Sequence, residues 1–116
     1  MKILPLVLLF TSAAHAHWMS PVSWGGRDNL NSITINGVVR VPVTVGSSTL
    51  KDIEIYVDGN LFSKFKVGEN QKVTQTIPVK LSKVGEVERH KICSLGYGST
   101  INTKICATVK AFWLEM

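Results

Sequence analysis

Helical periodicity is nearly absent from this 116-residue chain. Apolar side chains do not recur at three- and four-residue spacing over any sustained window, which excludes a helical bundle. Cysteine is scarce. Cys93 and Cys106 stand alone, without further ligands at zinc spacing and without a Cys-x-x-Cys redox pair. Long apolar runs are missing too: residues 3–10 carry Pro5 and fall short of the ~20 residues that a membrane-spanning helix needs. Catalytic signatures are equally thin. Asp28, Asp52, Glu54 and Asp58 lie on expected strands or turns with no paired acid/base context, and no nucleophile elbow occurs. Asp58-Gly59-Asn60 lacks the acidic ligands of a calcium loop and reads as a turn. The balance is against an enzyme.

Charge is modest and dispersed. The formal net charge is +5, but the lysines between Lys51 and Lys110 form no block. No arginine-rich segment or aromatic stacking motif accompanies them, so nucleic acid is a poor partner. Weak attraction to anionic surfaces remains.

The first sixteen residues have the parts of a secretory signal. Lys2 supplies the positive start, residues 3–10 the apolar stretch and Ala14-His15-Ala16 the small-x-small cleavage pattern. Removal of residues 1–16 leaves a mature chain beginning at His17, with no transmembrane segment, in the periplasm or outside the cell. A competing cut after Ala14 leaves His15-Ala16-His17 in front. In such a compartment Cys93 and Cys106 are expected to form a disulfide.

Alternation dominates the remainder. Ile33, Ile35, Val39, Val41, Val43 and Val45 are all odd-numbered, which predicts a single inward face across Asn36-Gly37. A hairpin at Asn36-Gly37 would reverse that parity, so a bulge or sheet-switching kink at Gly37 is preferred. Residues 51–67 read as a hairpin about Asp58-Gly59-Asn60, with a three-residue loop pairing Val57 with Leu61 and Ile53 with Phe65. Val73, Ile77, Val79 and Leu81 face inward on the next strand, and Pro78 marks an edge or bulge. Residues 87–95 and 105–114 complete the set. Cys93 opposite Cys106 puts Ile92 across from Ala107, His90 from Val109 and Arg89 from Lys110. Ile92 and His90 then point inward and the disulfide outward.

These signals predict an all-β fold: one small antiparallel sandwich over 33–116, preceded by an aromatic arm over 17–32. The strand order over 33–113 resembles an immunoglobulin-like or fibronectin type III-like sandwich. The likeness rests on the mid-chain strand Ile53-Glu54-Ile55-Tyr56-Val57-Asp58-Gly59 and on the long terminal hairpin.

The candidate functional residues are few. Trp18 and Trp24, flanking Pro21, are expected either to cap the core or to form an interface, and Tyr97 sits between glycines where a loop tip could make contacts. Exposed indoles would also suit sugar rings. His17 resembles the N-terminal copper-binding histidine of lytic polysaccharide monooxygenases and some periplasmic copper carriers. That resemblance implies copper as a cofactor, with His90 as the second ligand, placed at one residue; no Met/His-rich copper motif or long substrate loop accompanies it. The leading expectation is a non-enzymatic binding or assembly module without a cofactor, acting on a protein partner or itself at a cell envelope or particle surface. Copper binding and carbohydrate binding are the alternatives.

Overall fold

The computed structural model describes residues 17–25, 32–97 and 102–115. Among these residues nine strands follow in order: β1 (His17–Ser20), β2 (Ser23–Gly25), β3 (Ile33–Thr34), β4 (Val38–Ser47), β5 (Lys51–Val57), β6 (Asn60–Val67), β7 (Gln71–Lys80), β8 (Val87–Tyr97) and β9 (Asn102–Trp113). A small sheet has the order β1-β4-β7; the large one runs β2-β9-β8-β5-β6, with β3 also paired to β9. The fold is an all-β sandwich, as the alternation requires. The expected signal segment, residues 1–16, lies outside the described residues.

The core lies between the sheets. Val39, Val41, Val43 and Val45 of β4 are buried with Ile77 and Val79 of β7. Ile53, Ile55, Ile92, Ala107, Val109 and Ala111 come from the large sheet and complete the same cluster. Each fully buried Val or Ile stabilises the fold by about 1.5–3 kcal/mol, an upper estimate because the unfolded chain also buries apolar surface. Ile77, Val79 and Leu81 are inward as expected, and Val73 packs partly buried against the cluster.

Asn36-Gly37 carries the chain from the large sheet, at β3, to the small sheet, at β4. Gly37 has φ of 82°, and a Cβ there would lie 3.0 Å from the Trp113 ring. Asn36 Oδ1 accepts hydrogen bonds from the Val38 amide and the Thr34 hydroxyl. The kink is there, but it does not keep one parity. Ile33 and Ile35 are 45% and 63% exposed, contrary to their expected inward face. Ile33 pairs with Phe112, whose side of β9 alternates away from buried Ala111, so Ile33 joins the outer face.

The β5–β6 hairpin also departs from its expected register. Asp58 and Gly59 both have positive φ, so a two-residue turn sets Val57 opposite Asn60. A bulge follows, pairing Tyr56 with Leu61 and Ile55 with Ser63. Ile53 still faces Phe65, but Val57 does not meet Leu61, which is exposed. The bulge absorbs the residue that the shorter turn releases.

In the last hairpin Cys93 pairs with Cys106, Ile92 with Ala107, His90 with Val109 and Arg89 with Lys110, all as expected. The cysteines are bonded. Ile92 is fully buried and Cys106 exposed, so the bridge lies on the outer face. Closing a loop of this size is worth ~3 kcal/mol in the chain-entropy model.

Residues 17–25, set apart above as an arm, are instead part of the sandwich. His17–Ser20 pairs antiparallel with Thr44–Ser47, and Ser23–Gly25 pairs parallel with β9. Met19 is buried in the core and Trp24 packs against it. The chain passes from one sheet to the other at a cis Ser20–Pro21 bond.

Candidate functional site: the outer face of the large sheet

Because side chains alternate along a strand, the outer face of β8 and β9 can be read row by row from the register. The rows are Tyr97/Asn102, Leu95/Lys104, Cys93/Cys106, Lys91/Thr108, Arg89/Lys110 and Val87/Phe112. Ile33 of β3 extends the last row to three apolar residues. Four cations therefore share this strip: Lys104, Lys91, Arg89 and Lys110. Among the described residues none of them forms an ion pair. The ion pairs found are Lys64–Glu54 at 3.6 Å, Lys66–Asp52 at 2.9 Å, and His90 with Asp58 and Glu88. Arg89 faces Lys110 directly, and like charges opposite one another on a sheet are destabilising.

The apolar row closes one end of this face. Ile33, Ile35, Val84, Val87 and Leu114 make up half of the exposed large apolar side chains among the described residues. Val87 and Ile33 flank Phe112 on the outer face, and the Leu114 amide donates to the Thr34 carbonyl, whereas Val84 bridges to Trp113, on the opposite side of β9 from Phe112. Ile33 and Val87 thus leave apolar surface exposed beside the cation strip.

Toward the other end β5 contributes a polar cluster. Glu54 Oε1 accepts hydrogen bonds from the Tyr56 hydroxyl at 2.6 Å and the Tyr97 hydroxyl at 2.9 Å. The Tyr56 bond first, and the Tyr97 bond next, hold the Glu54 carboxyl below its usual range. In return Glu54 pushes the Tyr56 hydroxyl up to about 12, and it raises Tyr97 as well. Beside this cluster a concavity of about 610 Å³ is lined by Tyr56, Cys93, Leu95, Lys91, Lys104 and the Asp58-Gly59 turn.

The candidate histidines occupy separate places. His17 lies buried between the sheets, its ring nitrogens bonded to the Thr103 hydroxyl at 2.6 Å and the Ser94 hydroxyl at 2.9 Å. Burial depresses its pKa; Lys51 adds to this, while the contact with Ser94 opposes it. His90 lies between Asp58, at 2.6 Å from Nδ1, and Glu88, at 2.9 Å from Nε2. Ser94 and His90 are four residues apart on β8, about 13 Å along a strand. The two rings therefore share no site. The groups bonded to the His17 ring are the Thr103 and Ser94 hydroxyls, with the Lys51 charge acting on it. Among the described residues no group of three His, Cys, Asp or Glu could hold a metal ion.

The tryptophans separate as well. Trp18 is 45% exposed on the outer face of the small sheet, covering Gly46, where a Cβ would collide with its ring. Trp24 lies on the large sheet, partly buried against the core. They form no common platform. Tyr97 is the last residue of β8, not a loop tip, and belongs to the Glu54 cluster. The Arg89/Lys110 pairing was legible once the cysteines were set opposite one another. The Glu54–Tyr56–Tyr97 cluster was not, because it depends on the pairing of β5 with β8.

No protein-family model and no curated protein matches this chain. Among solved structures it is similar to the crystal structure of the CARDB domain of a Pyrococcus furiosus protein in complex with di-metal ions. The two are 11% identical with a TM-score of 0.48, covering 87% of this chain and 93% of that one. The likeness is confined to coarse β-sandwich shape.

Proposed function

We propose that this protein is a non-enzymatic, extracytoplasmic binding module that docks an acidic protein partner, at a cell envelope or particle surface, on the outer face of its large sheet. The Cys93–Cys106 disulfide supports an oxidising compartment. The β1-β4-β7 sheet facing β6-β5-β8-β9 supports an immunoglobulin-like, fibronectin type III-like build. The observation that carries the reading is Arg89 opposite Lys110 beside the Ile33–Phe112–Val87 row, in which Ile33 and Val87 are exposed. Alone, the pair repels and the row is wetted. A partner bearing carboxylates and an apolar contact relieves both costs.

Lys110→Glu tests this. Opposite charges would then face across the pair, so stability should rise by about 0.2–1 kcal/mol. Retention of the exported protein by envelope preparations should fall roughly tenfold and become less sensitive to salt. Undiminished retention, or a loss of stability, contradicts the proposal.

A further inference from the structure

We infer that the concavity beside the disulfide seats an extended acidic peptide segment of the partner, with the alternation acid-x-apolar-x-acid. The inference rests on the outer face of the large sheet being the contact face and specifies what that face recognises. The floor is apolar, made by Leu95 and the bridged Cys93. Tyr56 stands at its side with the hydroxyl committed to Glu54, so it presents ring surface to the cavity. Lys91 and Lys104 stand at the two ends, one row to either side of the Cys93/Cys106 row. Asp58 also reaches the rim, but its carboxylate is engaged by the His90 ring and by the Lys91 amide.

Spacing determines the ligand. Successive rows on one sheet face are two residues apart, about 6.6–6.8 Å. Lys91, the disulfide and Lys104 therefore recur with the side-chain repeat of an extended chain. A peptide lying along β8 and β9 presents residues two apart to the sheet at that same interval. Its central apolar side chain meets Leu95 and the disulfide while carboxylates on either side reach the two ammonium groups. A flat anionic bilayer cannot reach a recessed floor. An anionic polysaccharide would set its hydroxyls against Leu95 and the disulfide, which supply no neutral hydrogen-bonding group there.

The test is a titration of the full mature protein with the capped peptide Glu-Thr-Phe-Thr-Glu, followed by backbone amide shifts and fluorescence anisotropy. Shifts are expected at Tyr56, Leu95 and Lys104 and not at Trp18 on the opposite sheet. Lys91→Glu and Lys104→Glu should each weaken binding about fivefold, whereas Lys72→Glu and Lys80→Glu on the small sheet should leave it unchanged. A peptide of the same composition with its two Glu adjacent should bind at least about fivefold more weakly, since only one carboxylate can then reach a lysine. Equal binding of the two peptides overturns the inference, as does binding indifferent to Lys91 and Lys104. Tighter, lysine-dependent binding of a polyuronate, or of vesicles containing phosphatidylglycerol, overturns it also. Because Lys110 lies outside the concavity, the two readings fail separately. Envelope retention lost in Lys110→Glu, with no peptide binding, removes the peptide seat and leaves the contact face. Peptide binding without any envelope retention removes the contact face as proposed.

Discussion

His90 shows how one side chain secures two loops. Its ring joins Asp58, in the β5–β6 turn, to Glu88, whose carboxylate also accepts the Ser82 and Lys83 amides. Burial pulls the His90 pKa down, but hydrogen bonds to Asp58 and Glu88 outweigh it and leave the value raised above 6.5. Burial likewise pushes Asp58 and Glu88 up, and their hydrogen bonds, to His90 among others, bring both below their ordinary values. The raised histidine contributes stability that is full below 6.5 and is lost as pH rises through its folded value. The lowered carboxylates contribute above their ordinary range and lose that contribution as pH falls through their folded values. The His17 pKa is depressed, so its contribution is present above 6.5 and lost as pH falls through its folded value. Urea unfolding at pH 6 and pH 8.5 should therefore show an alkaline loss from His90 in the wild type. His90→Gln should remove that alkaline loss and cost about 1 kcal/mol at pH 6. An unchanged pH profile in the variant would mean that the staple contributes nothing.

Among the elements, the small sheet protects its edges with proline. Arg40 pairs with Pro78 and Pro42 with Thr76. Neither proline can donate a hydrogen bond, so both must occupy non-hydrogen-bonded positions of the β4–β7 ladder, with their nitrogens turned toward the outer edges. β7 is an edge throughout, and β1 covers only Thr44–Ser47 of β4. Val38, at the open end of β4, has its amide capped by Asn36. These devices remove donors from β7 and from the stretch of β4 that β1 leaves uncovered, where another chain could add a strand. Replacing Pro42 and Pro78 together by valine restores both amides and suits the strand conformation. Self-association is expected to rise with concentration, as read by light scattering on a sizing column. A variant that stays monomeric where the wild type does would remove the blocking role from the prolines.

For the molecule as a whole, the N-terminal strands decide whether there is a sandwich at all. Without β1 the small sheet is the β4–β7 pair alone, and a two-stranded sheet is at best marginal. Without β1 and β2 the core also loses Met19 and the packing of Trp24. A chain beginning at Ile33 should therefore lose cooperative unfolding and amide-shift dispersion, whereas one beginning at His17 keeps both. A well-dispersed, cooperatively melting 33–116 fragment would show that residues 17–25 only decorate the fold.

Alternation and one covalent constraint made much of this legible in advance. The period of two placed Val39 to Val45, Ile77 and Val79 inside because a half-buried strand cannot change parity without exposing its core. Cys93 and Cys106 set the register of β8 against β9, and with it the facing of Arg89 and Lys110. Other features depended on the partner that a short segment finds in space. Ile33 turned outward because it pairs with Phe112, and Leu61 because left-handed Asp58 and Gly59 shorten the turn by a residue. Residues 17–25 looked like an arm since two strands of four and three residues carry too few alternations to announce themselves. The distance between His17 and His90, the Glu54–Tyr56–Tyr97 cluster and the concavity beside the disulfide all arise from pairing between strands remote in sequence. Local composition determines that a strand forms and which side chains it offers to each face. Only the assembled sheets decide which of those side chains meet.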